Sequence, residues 1–133
     1  MRVFVSGFGM VSALGVGKES HFTALKNGQS GIGKADYIHS KYSEIMPFGE
    51  VKKSNKELRS LIQFDLPENF TRTEFLAFVA FQEALAQSGL SKNEISNFST
   101  SLISASTVGG MCMTDELYDD ANFLKEKSKY VSS

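Results

Sequence analysis

The rhythm of hydrophobic and polar positions changes along this chain, and each change marks an element. Arg2-Val3-Phe4-Val5-Ser6 is a β-branched and aromatic run that stops at Gly7, which predicts a buried strand feeding a turn. Four glycines between Gly7 and Gly17 then free the backbone for unusual dihedrals. Lys18 to Lys26 predicts a short helix with Phe22 and Leu25 on one face and Gly28 as its stop. Residues 28–50 read as loop, with Gly31, Gly33, Pro47 and Gly49 among scattered Tyr and Ser. Residues 51–68 carry mixed charge with a weak helical pattern around Leu58, Leu61 and Ile62, ending at Pro67, and we expect them at the surface.

The strongest element spans Thr71 to Ser88. Thr71-Arg72-Thr73-Glu74 is a capping box, in which hydroxyl and carboxylate each take a backbone N–H left free at a helix start, and Gly89 closes the other end. Phe75 through Phe81 is apolar on all sides, which predicts a helix covered on every side. Burying each such side chain is worth ~1.5–3 kcal/mol, so the helix calls for partner surface that a short chain has little of. Ser91-Lys92-Asn93-Glu94 is a second capping box. Thr100 to Ser106 alternates loosely and predicts a strand of small residues running into a Thr107-Val108-Gly109-Gly110-Met111 turn. A charged helix is expected over 114–127, after which the sequence fades through Lys-Glu-Lys-Ser-Lys. The order strand, helix, helix, strand, helix predicts an α/β layer with parallel strands. The apolar helix, the small number of strands and the fading tail together suggest the front of a larger protein.

Composition narrows the function classes. In 133 residues, 14 Lys+Arg stand against 15 Asp+Glu, giving a net charge of -1 and no electrostatic reason to bind nucleic acid or an anionic membrane. No apolar run approaches the ~18 residues of a membrane span. The lone Cys112 rules out a disulfide scaffold and suits a reducing compartment. The glycine-interrupted N-terminus lacks a cleavage site, so a cytoplasmic, soluble protein is expected.

Each candidate for chemistry has a plainer reading. Gly7-Phe8-Gly9-Met10-Val11-Ser12 after a strand imitates the dinucleotide fingerprint G-x-G-x-x-G, which leaves a dinucleotide-binding module as one hypothesis. Ser12 stands in place of the third glycine, Gly15 and Gly17 delay the helix, and no acid sits near Asn27 to Gln29. A tight strand-to-loop turn fits better. Cys112, flanked by Met111 and Met113, has no histidine in a motif with it and reads as buried and inert. Asp115, Glu116, Asp119 and Asp120 share a helical side without a His or Cys spaced to complete a metal site, and read as a solvated face. His21 and His39 have no partner at catalytic spacing and are expected at the surface or at a helix cap. Phe75, Phe78 and Phe81 read as core, not as a stacking platform. No cofactor and no metal is expected, and the residues alone show no complete active site.

Four stretches carry a resemblance. Val3-Phe4-Val5-Ser6-Gly7-Phe8-Gly9-Met10-Val11-Ser12-Ala13-Leu14-Gly15 resembles the opening strand and T-G-x-G-x-V-S-P/A-L-G of β-ketoacyl-[acyl-carrier-protein] synthases. Phe22-Thr23-Ala24-Leu25-Lys26-Asn27-Gly28-Gln29-Ser30-Gly31-Ile32 is similar to their W-x-A-L-x-x-G-x-S-G-I, with Phe22 in place of tryptophan. Thr71-Arg72-Thr73 followed by Ala84-Leu85-Ala86-Gln87-Ser88-Gly89-Leu90 is similar to D-R-x-x-x…E-A-L-x-x-A-G-L in their buried central helix. Ser106-Thr107-Val108-Gly109-Gly110-Met111 resembles the S-G-x-G-G-L turn after the next strand.

The resemblance implies a thiolase-like α/β fold, of which residues 1–133 are the N-terminal half without an internal boundary, incomplete as a five-layer fold. It implies that Val108 and Met111 line an acyl-chain tunnel, and that the nucleophilic cysteine and the two decarboxylating histidines belong to later motifs absent from this sequence. Cys112 does not fit the small-residue elbow of that nucleophile. The complete enzyme would take an acyl chain from acyl carrier protein and extend it by decarboxylative condensation with malonyl-carrier, as a homodimer or a heterodimer with another condensing subunit. By itself this stretch is expected to be inactive. A stand-alone, non-catalytic partner subunit of a condensing enzyme is the alternative the resemblance allows.

Overall fold

The computed structural model describes residues 2–67 and 70–106, together with Tyr118 and Asn122. Its elements, in order, are the strands β1 (Val11–Ser12) and β2 (Gly15–Val16), helix α1 (Lys18–Lys26), strands β3 (Ile32–Gly33) and β4 (Phe48–Gly49), and helices α2 (Asn55–Leu61), α3 (Arg72–Ser88) and α4 (Lys92–Ile95).

Helix α3 organises the rest, and its ends form as the sequence predicts. The Thr71 hydroxyl accepts the Glu74 N–H at 3.3 Å while the Glu74 carboxylate accepts the Thr71 N–H at 2.7 Å. Gly89 ends the helix in the left-handed region at φ 70°. The second capping box, Ser91 with Glu94, starts α4 in the same way. Helix α1 likewise runs over Lys18–Lys26 with Gly28 at φ 64° beyond it.

The core lies between α2 and α3, where Leu58 and Ile62 meet Phe75 and Val79. Leu58 is fully buried, which corrects the expectation that residues 51–68 lie at the surface. Their apolar positions are few, but Leu58 and Ile62 are four apart and make one stripe wide enough to seat a helix. Side chains of α3 and of α2 itself then tie the surrounding backbone down. The Gln82 amide donates to the Leu61 carbonyl at 3.0 Å and accepts the Gln63 N–H at 2.6 Å, which closes the end of α2. Arg59 donates to the carbonyls of Leu66 and Pro67, and Arg72 to those of Val51 and Lys53. Phe70 stacks against Phe75 and Phe78 with ring centroids 5.6 and 5.3 Å apart.

A further anchor holds the loop before β4. Glu50 is 3% exposed, and its carboxylate accepts the N–H groups of Asp36 at 2.8 Å, Tyr37 at 2.8 Å and Ile38 at 2.5 Å, with Lys52 Nζ at 3.0 Å. Burial pushes this carboxyl up, but the three N–H donors and the ammonium outweigh it and hold it at about 2.

The strands differ from expectation. Those described pair antiparallel, Val11 opposite Val16 and Ile32 opposite Gly49, so no parallel pair forms among the described residues. Residues 2–6 and 100–106 form no strand and have no strand partners, with Val3, Phe4, Val5, Leu102 and Ile103 all at least 80% exposed. A β-rich sequence favours a strand, but ladder bonds need a neighbouring strand, and among the described residues none lies beside either segment. On α1 the buried residues are His21 and Ala24, not Phe22 and Leu25, which stay 65% and 68% exposed. The expected 114–127 helix lies outside the described residues except for Tyr118 and Asn122, both helical, with the Asn122 amide donating to the Tyr118 carbonyl at 2.8 Å.

Candidate functional site

The glycine-rich run of the sequence lies along α3 with its backbone against the helix backbone. A Cβ at Gly9 would overlap the Ala80 carbonyl oxygen and sit 2.8 Å from the Ala80 carbonyl carbon. At Gly7 it would overlap the Ala84 carbonyl oxygen and come 2.9 Å from the Ser88 nitrogen. These glycines therefore serve close approach. Their bare faces are filled by the helix, an arrangement unlike a loop left open to cradle a pyrophosphate.

Two side chains of α3 fix the register of this segment. Gln87 accepts the Phe8 N–H at 3.1 Å, and Glu83 accepts the Met10 N–H at 3.0 Å. The second oxygen of Glu83 accepts the Lys18 N–H at 2.7 Å. Gly17, at the N-cap of α1, has no side chain to offer, so a carboxylate from another helix caps α1 and complements its dipole. The Lys18 N–H foremost, joined by the Met10 N–H, holds the Glu83 carboxyl below its ordinary range against the effect of burial. Neither Glu83 nor Gln87 stands out as functional by residue type. The available signal is their spacing, two polar residues four apart on a helix otherwise rich in apolar ones.

His21 is buried, at 8% exposure, and this corrects the expectation of a surface or capping histidine without a partner. The β1–β2 hairpin folds Ser12 back over the first turn of α1, placing Ser12 Oγ 2.7 Å from His21 Nε2. His21 Nδ1 lies 2.7 Å from the Gly17 carbonyl oxygen. A carbonyl only accepts, so Nδ1 carries a proton and donates, and in the neutral ring Nε2 then accepts from the Ser12 hydroxyl. The hairpin, not spacing along the chain, brings the pair together.

On another side of α3, Ala77, Phe78 and Phe81 face Leu102, Ile103, Ser104 and Ala105 across an apolar cleft of about 360 Å³. Phe81, expected in the core with Phe75 and Phe78, is 41% exposed at this cleft. The segment forming its far wall leads in sequence to Val108 and Met111. Those two residues, with Cys112 and the carboxylates Asp115, Glu116, Asp119 and Asp120, lie outside the described residues. Among the described residues no group of three or more His, Cys, Asp or Glu could hold a metal, and no helix is long and apolar enough to cross a membrane.

A glycine strand laid on the backbone of an apolar helix, with that helix reaching back to cap the next one, is the architecture of a scaffold, and its motifs place it in a family. The chain belongs to the family described as "Beta-ketoacyl synthase, N-terminal domain", which matches residues 1–133, and the fold is therefore thiolase-like. Among curated proteins it is similar to the 3-oxoacyl-[acyl-carrier-protein] synthase 1 of Haemophilus influenzae, with 26% identity over 116 residues that take in 81% of this chain and 26% of the relative. The chain thus spans about a quarter of the length of the curated relative it matches. No solved structure matches it.

Proposed function

We propose that this chain is the N-terminal part of a 3-oxoacyl-[acyl-carrier-protein] synthase acting in fatty acid or polyketide-type synthesis, where it supplies scaffold and part of the acyl-tunnel wall. The observation that carries the reading is the family match along the whole of residues 1–133. In this reading a cysteine elsewhere in the complete enzyme takes the acyl group as a thioester from acyl carrier protein. Decarboxylation of malonyl-carrier then gives an enolate, and its attack on the thioester carbonyl expels the thiolate and lengthens the chain by two carbons. Backbone N–H groups hold the oxyanion in that step. Val108 and Met111 stand against the acyl chain, and the apolar cleft at Phe78 and Phe81 supports the segment that leads to them.

The test is a condensation assay with acyl-carrier and malonyl-carrier. The 133-residue chain alone is expected to give no 3-oxoacyl product, and the protein carrying the later cysteine and histidines is expected to give it. Product from the 133 residues by themselves would overturn the assignment of catalysis to residues outside this chain. Stable co-purification with a separate condensing subunit, with no activity in any longer form, would favour the partner-subunit reading instead.

A further inference from the structure

The Ser12–His21 pair has the arrangement of an activated nucleophile. Ser12 Oγ lies 2.7 Å from His21 Nε2, the acceptor of its hydroxyl in the neutral ring, and the other ring nitrogen donates to the Gly17 carbonyl at 2.7 Å. A base within hydrogen-bond reach of a hydroxyl, itself oriented by a third group, is the recurrent design by which a serine becomes nucleophilic. The Leu14 N–H donates to Ser12 Oγ at 3.1 Å, which lowers the cost of negative charge growing on that oxygen. His21 also forms part of the wall of a groove of about 470 Å³ lined in addition by Phe8, Met10, Lys18, Glu19, Phe22 and Leu25, whose size and largely apolar lining suit a short or medium acyl tail.

We propose that Ser12, with His21 as its general base, is a site of acyl transfer from activated acyl esters. The Ser12 proton passes to His21 Nε2 as Oγ forms a bond to the acyl carbon. The bond to the leaving oxygen then breaks, and the imidazolium returns its proton to that alkoxide or phenoxide. The product is an O-acyl serine and a free alcohol or phenol, with the ring neutral again. Water can repeat the same steps to release the acid.

The experiment treats the purified protein with p-nitrophenyl butyrate, and separately with an alkyl fluorophosphonate, and maps the adducts by peptide mass spectrometry. Modification is expected at Ser12 ahead of the other serines. His21→Asn keeps an amide N–H that can donate to the Gly17 carbonyl but removes the base, and should slow modification at least ~100-fold with circular dichroism unchanged. A folded wild-type protein that is unmodified at Ser12 by both reagents would overturn the proposal, even if His21→Asn does not fold. So would modification at a rate indifferent to His21→Asn. Neither result bears on the condensation assay, so this proposal and the family reading fail independently.

Discussion

Replacing Gly9 with alanine tests whether the glycine strand is a packing device. The new methyl group would overlap the Ala80 carbonyl oxygen and lie 3.0 Å from the Ala84 nitrogen, all backbone atoms of one helix. Helix α3 cannot retreat, because Phe75 and Val79 on its far side are 4% and 6% exposed in the core. The strand must therefore lift away. Overpacking of this kind costs ~1–3 kcal/mol, and losing the charge-assisted bond from the Met10 N–H to Glu83 adds ~1.5–3 kcal/mol. The expected loss for Gly9→Ala is therefore about 2.5–6 kcal/mol. Gly28→Ala is the comparison, since its Cβ would meet nothing within 4 Å and the change carries only the left-handed strain of φ 64°, about 1–2 kcal/mol. Urea unfolding followed by far-ultraviolet circular dichroism would measure both. If Gly9→Ala is no more destabilising than Gly28→Ala, the strand does not depend on close approach and the reasoning fails.

Four other substitutions probe the Glu50 and Glu83 carboxylates, the glycine segment and the family reading. The Glu50 carboxyl is held at about 2 against an ordinary 4.5, so its contribution of roughly 3 kcal/mol is present above pH 4.5 and is lost as the pH falls towards 2. The stability difference between wild type and Glu50→Gln should shrink across that window, and a difference that stays constant from pH 7 to pH 2 would refute it. Glu83→Gln replaces one acceptor oxygen with an amide that cannot take an N–H, leaving either Met10 or Lys18 unsatisfied at about 1–3 kcal/mol. Gln87→Ala, which removes one neutral acceptor from the exposed Phe8 N–H, should cost less by thermal or urea unfolding. In a protein with the complete condensing site, Met111→Trp should cut kcat/KM at least ~10-fold for the longest acyl donors and spare acetyl donors, and equal loss for all lengths would remove Met111 from the tunnel.

What the sequence made legible follows from how locally each feature is determined. Three helix starts are written in three or four consecutive residues, and a capping box or a glycine stop works whatever lies around it. Two of them, at Thr71 and Ser91, were readable from spacing alone, while Ser54 with Glu57 was hidden in a charged stretch judged superficial. The burial of Leu58 depends on α3 arriving opposite it, which no local pattern encodes. The Ser12–His21 contact depends on a hairpin whose strands are two residues each, too short to show a period. The G-x-G pattern by itself reads as a turn, and its role as a contact surface appears only once the helix against it is known. Val108 and Met111 rest on family resemblance, since they lie outside the described residues.

The positions along α3 explain why an all-round apolar helix is only half covered here. At roughly 100° per residue, Phe75, Val79 and Gln82 share one side and Ala77, Ala80, Phe81 and Ala84 share the roughly opposite one. The first side is sealed by α2 through Leu58, Ile62 and the Leu61–Gln63 bonds. The second side meets non-helical chain, with the glycine segment on Ala80 and Ala84, and residues 102–105 across the cleft from Ala77 and Phe81. Helix on one side and non-helical segments on the other agrees with an α/β layer, although no ladder joins those segments among the described residues. Val3, Phe4, Val5, Leu102 and Ile103, at 80–91% exposure, exceed the scattered exposed residues of an ordinary surface. The apolar helix is therefore consistent with its sequence: both of its sides are built to be covered, and the described residues supply a complete cover for only one.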